Sequence, residues 1–217
     1  MNNENNIKIF EETDLKTIEK SMQNFTSQMQ LYQAVIKEVK TKLEILNDEF
    51  NFNHKHNPIH HIESRLKSPQ SIVEKMRRKG VSLDIDTLKR ELNDVAGIRV
   101  ICKYVEDVYS IAEMLTSQSD VKLICTRDYI RNPKDNGYRS LHIVVEVPIF
   151  LANRVENVRC EVQLRTIAMD FWASLEHKLK YKTDSQIPED IKIRLKECAE
   201  AIAYIDSEME QIHKELS

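Results

Sequence analysis

Apolar residues recur at alternating steps of three and four along two long stretches, one near each end of the chain. This spacing places them on one face of a helix, so the sequence predicts a long amphipathic helix in each stretch. Such a face must be buried, and the pattern alone leaves open whether it packs within one subunit or against another. The first repeat runs through Leu15, Ile18, Met22, Phe25, Met29, Tyr32, Ile36, Val39, Leu43, Leu46 and Phe50, and the second through Ile191, Leu195, Cys198, Ile202, Ile205, Met209 and Ile212.

The segment Val158–Thr166 has a period of two instead. Cys160, Val162 and Leu164 fall on one face of an extended strand. Charged and amide side chains fall on the other face, namely Arg159, Glu161, Gln163 and Arg165. Such a charged row fits either an edge strand with one solvated face or a strand beneath a cleft that binds ionic ligands.

Shorter helix and strand patterns alternate between these stretches, and Asn136–Gly137 is a strong turn signal. Helices alternating with a few strands predict an α+β fold with a mixed, largely antiparallel sheet flanked by helices. The predicted elements are a helix over 70–79 ended by Gly80, a strand entered at Gly97, a helix over 106–116, a strand over 121–130 and a further strand after Gly137.

The composition is that of an ordinary globular protein, with 31% charged residues and a formal net charge of −3 in 217 residues. It lacks the basic excess of a dedicated duplex-binding protein. With no long apolar run and a polar start, we expect a cytoplasmic protein without a membrane span. The only three glycines cannot build a glycine-rich phosphate loop, so a bound nucleotide must be held by side chains.

Two further motifs have competing interpretations. His54, His56, His60 and His61 lie in a stretch, 51–61, that is typical of a polar loop, and they fit either loop histidines or a transition-metal site. The pair Asp84 and Asp86 resembles a two-carboxylate metal motif, but it directly precedes a helical pattern. We therefore interpret the pair as helix capping, by Asp84 or Asp86.

Two acidic residues and a separate cluster of basic residues are the candidates for a phosphate-binding site. Two acids, Asp94 before a strand and Glu161 on one, can share a divalent cation, and a basic cluster can neutralise a polyphosphate bound to it. Tyr138, beside the Asn136–Gly137 turn, can stack on a base or simply pack on the sheet. This combination favours phosphoryl or pyrophosphoryl transfer. The basic cluster comprises Arg65, Lys67, Lys75, Arg77, Arg78 and Lys79, although a cluster like this also fits a solvated helix face.

Two other classes of protein remain open. A non-catalytic RNA or nucleotide sensor could use the basic cluster and Tyr138. RNA binding is not favoured, because Asp94 and Glu161 repel phosphate unless a cation intervenes. A coiled-coil assembly protein would explain the terminal helices but not the charges between them.

The sequence resembles the synthetase domain of the RelA/SpoT-type alarmone synthetases, and in particular the stand-alone small members of that family. The resemblance extends from about Asn57 to Lys182. It is carried by Arg65-Leu66-Lys67, the segment 71–79, Asp94-Val95-Ala96-Gly97-Ile98-Arg99, Asn136-Gly137-Tyr138-Arg139-Ser140-Leu141-His142, Glu161-Val162-Gln163-Leu164-Arg165-Thr166, and Phe171-Trp172-Ala173 through Glu176-His177.

The resemblance implies a magnesium-dependent enzyme that transfers the β,γ-diphosphate of ATP to the 3′-hydroxyl of GDP or GTP. AMP is released and ppGpp or pppGpp is formed. Asp94 and Glu161 match positions that bind Mg²⁺, and Glu161 matches the residue thought to activate the hydroxyl. ATP-binding positions match Arg65, Lys67, Lys75, Arg78 and Arg99, while GDP- or GTP-binding positions match Lys134, Tyr138, His142, Gln163 and Asp170.

Asp170 departs from the family pattern, since several relatives have asparagine there. An aspartate can accept hydrogen bonds from guanine but lacks the amide donor. No segment resembles the hydrolase domain of the longer relatives, so we expect synthesis only. The resemblance further implies a nucleotidyltransferase-like sheet, a homotetramer, and a single synthetase domain over 1–217 with a helical region (1–56), a catalytic core (57–182) and a C-terminal helix (183–217).

Overall fold

The computed structural model describes residues 12–182 and 188–216. Residues 1–11, 183–187 and 217, which the sequence analysis assigned to the terminal regions, lie outside this part, as do the side chains of Leu15 and Ile18. Over the two described ranges, no helix combines the length and apolar character needed to cross a membrane. The elements are α1 (Glu12–Asn53), β1 (Ile59–Leu66), α2 (Pro69–Lys79), α3 (Ile85–Glu91), β2 (Ala96–Cys102), α4 (Val105–Thr116), β3 (Lys122–Asp128), β4 (Leu141–Phe150), β5 (Val155–Thr166), α5 (Ile167–Lys182) and α6 (Glu189–Leu216).

The strands form one sheet in the order β1-β2-β5-β4-β3. Strand β5 pairs in parallel with β2 and antiparallel with β4, and the pairs β1–β2 and β3–β4 are antiparallel. The predicted α+β fold, with a mixed and largely antiparallel sheet and long N- and C-terminal helices, is confirmed. Because β5 has a neighbour on each side, the edge-strand interpretation of its charged face is wrong.

One face of the sheet is apolar and packs against α1 and α4. Cys160, Val162 and Leu164 of β5 are buried there, as the period-two pattern predicted. Val39 and Leu43 of α1 belong to the same core, so this part of the helix packs within the subunit. The alternation of β5 directs its charged side chains to the opposite face, which carries the candidate site.

Strand β1 was not predicted. Its eight residues include His60 and His61, which the sequence analysis assigned to a polar loop. Only Ile59 is buried in this strand, so its sequence lacks the alternation that reveals a half-buried strand. The capping interpretation of Asp84 is confirmed, because its Oδ1 accepts a hydrogen bond from the backbone N–H of Thr87 at 2.8 Å.

Hydrogen bonds fix α6 against the rest of the protein, and two of them involve α5 and the end of β5. Indole Nε1 of Trp172 donates to the carbonyl oxygen of Leu195 at 2.9 Å. Thr166 Oγ1, at the end of β5, donates to Oδ2 of Asp206 at 2.6 Å. Asp206 is buried, and burial raises the pKa of its carboxyl even though the bond from Thr166 opposes that shift.

We expect Asp206→Asn to stabilise the protein at pH 8, because asparagine keeps an acceptor for Thr166 and carries no charge to desolvate. Since the pKa of Asp206 is higher in the folded than in the unfolded state, its ionisation costs stability as pH rises between the two values. No cost remains below the unfolded value of about 3.9. The gain in the free energy of unfolding in urea should therefore shrink as pH falls towards that value. A gain that stays constant with pH, or equals that of the exposed control Glu208→Gln, would contradict this account.

Two glycines have a left-handed backbone. Gly80, with φ 68°, ends α2, and Gly137, with φ 86°, lies in the loop before β4. A Cβ at Gly80 would meet nothing within 4 Å, whereas one at Gly137 would lie 2.5 Å from the Cβ of Ala199 on α6. Glycine at position 137 therefore allows the positive φ of this loop and also lets the loop pack closely on α6.

Gly80→Ala and Gly137→Ala form a matched pair of variants. Gly80→Ala introduces backbone strain only, and should lower the free energy of unfolding by about 1–2 kcal/mol. Gly137→Ala adds overpacking against Ala199, which costs about 1–3 kcal/mol more. Urea unfolding monitored by circular dichroism measures both losses. Equal losses would show that the contact with α6 contributes nothing.

Candidate active site

A cavity of about 470 Å³ opens on the polar face of the sheet, where β1, β2 and β5 lie side by side. Strand pairing brings its residues together, because Gly97 of β2 lies opposite Arg65 of β1 and Glu161 of β5. Six side chains that the sequence analysis singled out line the cavity: Arg65, Lys67, Asp94, Arg99, Glu161 and Gln163.

Asp94 lies in the turn before β2 and is held by two lysines. Nζ of Lys67 and Nζ of Lys75 each donate to Oδ2 of Asp94 at 2.6 Å. Burial alone would raise the pKa of this carboxyl, but the two ammonium groups lower it below its ordinary value. The other oxygen, Oδ1, is buried and has no hydrogen-bond partner within the described part of the chain.

Glu161 lies in the middle of β5, with 14% of its side chain exposed. Nε2 of Gln163 donates to Oε2 of Glu161 at 2.8 Å, and Nδ1 of His142 lies 3.6 Å from Oε1. Burial and the charge of Asp94 act to raise the pKa of Glu161, but His142 and Gln163 outweigh them and lower it. Glu161 is therefore an anion at neutral pH and can bind a cation or accept a proton.

These two carboxylates fit the coordination habits of Mg²⁺. In nucleotide sites this ion takes one or two protein carboxylates and completes its shell with phosphate oxygens and water. Asp94 Oδ1 is a buried anionic oxygen that finds no hydrogen-bond partner among the described residues, and Glu161 lines the same cavity. Residues 12–182 and 188–216 contain no cluster of three or more His, Cys, Asp or Glu side chains that could enclose a metal by themselves.

An aromatic platform extends the site along β4 and β5. Oη of Tyr138 accepts a hydrogen bond from Nη2 of Arg165 at 2.6 Å and lies 2.8 Å from Nε2 of His142. Because a guanidinium has no acceptor, Arg165 is the donor in the first of these two contacts. Nζ of Lys134 lies 4.7 Å from the centre of the Tyr138 ring.

Asp170, at the start of α5, connects this platform to the cavity. Its Oδ1 accepts a hydrogen bond from Nη1 of Arg165 at 3.1 Å and lies 3.5 Å from Nη1 of Arg99. Nη1 of Arg99 also donates to Glu63 on β1 at 3.3 Å. Contacts between side chains therefore join the Arg99 end of the site to the Tyr138 end.

The structure brings together most, but not all, of the predicted site residues. Lys75 reaches the site through its bond to Asp94, whereas Arg78 lies exposed on the last turn of α2. The site residues predicted from the sequence did not include Arg165 or Glu63. Arg165 could have been included, because it shares the charged face of β5 with Glu161. Glu63 gave no signal, because it lies on the strand that the sequence did not predict.

The histidine tract is separate from this cavity. Nε2 of His56 lies 2.9 Å and 3.0 Å from the two carboxylate oxygens of Asp107 on α4. Nδ1 atoms of His60 and His61 are 2.7 Å apart on the exposed part of β1. The tract belongs to no enclosing metal cluster among the residues that the structure describes.

Comparison with known proteins gives a consistent result. The family described as "Region found in RelA / SpoT proteins" matches residues 64–186. GTP pyrophosphokinase YwaC of Bacillus subtilis is 44% identical over 203 residues, which cover 94% of this chain and 95% of that protein.

Two solved structures have a closely similar fold. The crystal structure of small alarmone synthetase 2 from Bacillus subtilis matches with a TM-score of 0.81 and 43% identity, covering 88% of this chain and 99% of that chain. Small alarmone synthetase 1 from the same organism, bound to its product pppGpp, matches with a TM-score of 0.80 and 38% identity, covering 86% and 94%. The chain therefore belongs to the RelA/SpoT family, as one of its small alarmone synthetases.

Proposed function

We propose that this protein is a magnesium-dependent (p)ppGpp synthetase that transfers the β,γ-diphosphate of ATP to the 3′-hydroxyl of GDP or GTP and releases AMP. The convergence of Asp94 and Glu161 in one cavity, beside Arg65, Lys67 and Arg99, carries this proposal. The name of the relative YwaC, GTP pyrophosphokinase, supports it, and so does the pppGpp bound to small alarmone synthetase 1.

The donor subsite is the basic part of the cavity. Cationic side chains bind phosphate oxygens through charge-assisted hydrogen bonds, and a guanidinium plane can also stack on adenine. Lys67 and Lys75 are held at the site by Asp94, so their ammonium groups are already in place for a triphosphate. The residues that we assign to ATP are Arg65, Lys67, Lys75, Arg78 and Arg99.

Asp94 and Glu161 would hold the magnesium ion. When bound, Mg²⁺ neutralises charge on the phosphates and on the leaving group. The ligands would come from two segments, the turn that enters β2 and strand β5, which are neighbours because Gly97 of β2 lies opposite Glu161 of β5.

Glu161 is the general base of the proposed reaction. It accepts the proton of the acceptor's 3′-hydroxyl while the 3′-oxygen attacks the β-phosphorus of ATP. The bond from the β-phosphorus to the oxygen bridging it to the α-phosphorus breaks, and AMP leaves with that oxygen. The lowered pKa of Glu161 keeps it ionised before the reaction, and Gln163 and His142 fix its orientation.

The acceptor subsite is the aromatic platform. We assign the ring of Tyr138 to guanine, because Arg165 and His142 fix its hydroxyl and an aromatic ring can stack on a base. Asp170 supports this subsite by holding Arg165. Lys134, His142 and Gln163 are assigned to the acceptor's phosphates and ribose.

We further propose that the protein forms a homo-oligomer, namely the tetramer that the family resemblance implies. We expect it in the cytoplasm, with its nucleotide substrates. Apolar side chains on α6 support self-association, because Ile205, Met209 and Ile212 are about half exposed, at 57%, 51% and 47%. They belong to the predicted apolar repeat, and α6 does not bury them within the subunit. The division into regions 1–56, 57–182 and 183–217 is kept as part of this proposal.

Glu161→Gln should abolish synthesis. The amide is nearly isosteric but cannot accept the proton, and loss of a general base costs about 100- to 10,000-fold in rate. Purified protein is incubated with ATP, GDP or GTP and Mg²⁺, and AMP and the guanosine product are quantified by chromatography. Glu156→Gln, on the same strand but outside the cavity, should retain wild-type activity.

Two outcomes would overturn these assignments. Full activity of Glu161→Gln would remove Glu161 from the role of base. Formation of ADP as the only adenine product by the wild type would indicate an ordinary kinase.

Tyr138→Ala should raise the KM for GDP or GTP while leaving the KM for ATP unchanged. Stacking of a base on an aromatic ring contributes about 1–3 kcal/mol, which corresponds to about 5- to 150-fold. Tyr138→Phe keeps the ring and removes the hydroxyl that bonds to Arg165, so it should lose much less. Equal losses in the two variants would mean that the hydroxyl, rather than the ring face, binds the acceptor.

A further inference from the structure

Arg159 lies on the charged face of β5, two residues before Glu161, but it does not line the cavity. Its side chain is 33% exposed. In the parallel pairing of β5 with β2, Glu161 lies opposite Gly97, and β2 begins at Ala96. Arg159, two residues before Glu161, therefore lies beside the residues that precede β2. These residues form the turn that carries Asp94.

The guanidinium of Arg159 connects β5 to that turn. Its Nη1 donates to Oδ1 of Asn93 at 3.2 Å, and Asn93 directly precedes Asp94. On its other side, Nε donates to Oε2 of Glu146 at 3.4 Å. Arginine can make both bonds because its donors point in different directions from one rigid plane.

The bond to Glu146 is itself supported by strand register. Glu146 of β4 lies directly opposite Arg159, and Lys122 of β3 lies directly opposite Glu146. Nζ of Lys122 is 3.7 Å from Oε1 of Glu146. A row of alternating charges thus crosses three strands, and the bonds of Arg159 to Glu146 and Asn93 fix the direction of its side chain.

We propose that Arg159 is a positioning residue that sets the separation between Asp94 and Glu161, and thereby the affinity of the site for its divalent cation. The inference rests on the proposed function, in which these two carboxylates share the ion. Asp94 and Glu161 are on different segments, and the tie from Arg159 to Asn93 links the turn of one to the strand of the other. Outer groups that orient metal ligands typically contribute 10- to 100-fold to metal affinity.

The test measures Mn²⁺ binding to the 217-residue protein in the presence of a non-hydrolysable ATP analogue, from the electron paramagnetic resonance signal of free Mn²⁺. Arg159→Met should weaken Mn²⁺ binding by about tenfold or more. Arg159→Lys keeps the charge but has a single ammonium in place of the fork, so it should restore little of the loss. Affinity for the analogue in EDTA, where no metal contributes, should stay within about twofold of the wild type, which a general loss of structure would not allow.

Asn93→Ala tests the same tie from its other end and leaves the Arg159–Glu146 pair intact. It should weaken Mn²⁺ binding by a similar factor. If Arg159 acts through Asn93, the double variant should lose no more than either single variant, because both changes remove one interaction. Lys122→Met, which disturbs only the outer end of the charge row, is the matched control and should change Mn²⁺ affinity less than about twofold.

The proposal is overturned if folded Arg159→Met binds Mn²⁺ as the wild type does, or if the losses of Arg159→Met and Asn93→Ala add. Should Arg159→Met fail to fold, unchanged Mn²⁺ binding by Asn93→Ala overturns it equally. Failure of the proposed function gives a different result. The wild type would then bind no more Mn²⁺ than the analogue binds in the absence of protein, or would form no AMP from ATP and a guanine nucleotide.

Discussion

Burial of the ionised Glu161 carboxylate is the constraint that the rest of the site must satisfy. Moving a carboxylate out of water is costly, and without partners the group would take up a proton instead. The side chain of Glu161 has to stay on the cavity side of the sheet, because its neighbours Cys160 and Val162 on β5 point into the apolar core on the other side. Its charge is retained because Gln163 donates a hydrogen bond and His142 lies beside it.

Asp94 presents the same problem with a different solution. Two like charges in one cavity raise each other's pKa, and the charge of Asp94 acts in this direction on Glu161. Lys67 and Lys75 neutralise Asp94 from one side, at Oδ2 alone, which leaves Oδ1 facing no donor among the described residues. The same lysines lie where the phosphates of ATP are proposed to bind. One pair of cations can therefore stabilise the carboxylate before the substrate arrives and the phosphates afterwards.

The sequence predicted those parts of the site that depend on local periodicity. The face on which Glu161 and Gln163 lie follows from the period of two in β5, and the cap at Asp84 follows from the helical pattern after it. Sequence could not supply what depends on strand pairing. Edge strand β1 has no alternation to reveal it, so the position of Glu63 was not predicted, and nothing local indicates that Lys75 would bond to Asp94, 19 positions further along the chain.

The single parallel pair in the sheet explains why the two carboxylates meet. In the parallel pair β2–β5, both strands run in the same direction, so the turn that enters β2 lies beside the N-terminal half of β5. An antiparallel arrangement would instead place the turn at Asp94 beside the other end of β5, near Thr166. A side chain in that N-terminal half, such as Arg159, can then reach the turn that carries Asp94. The strand topology therefore places the turn near Glu161. Side-chain contacts then set the distance between the carboxylates of Asp94 and Glu161, on which binding of a small cation depends.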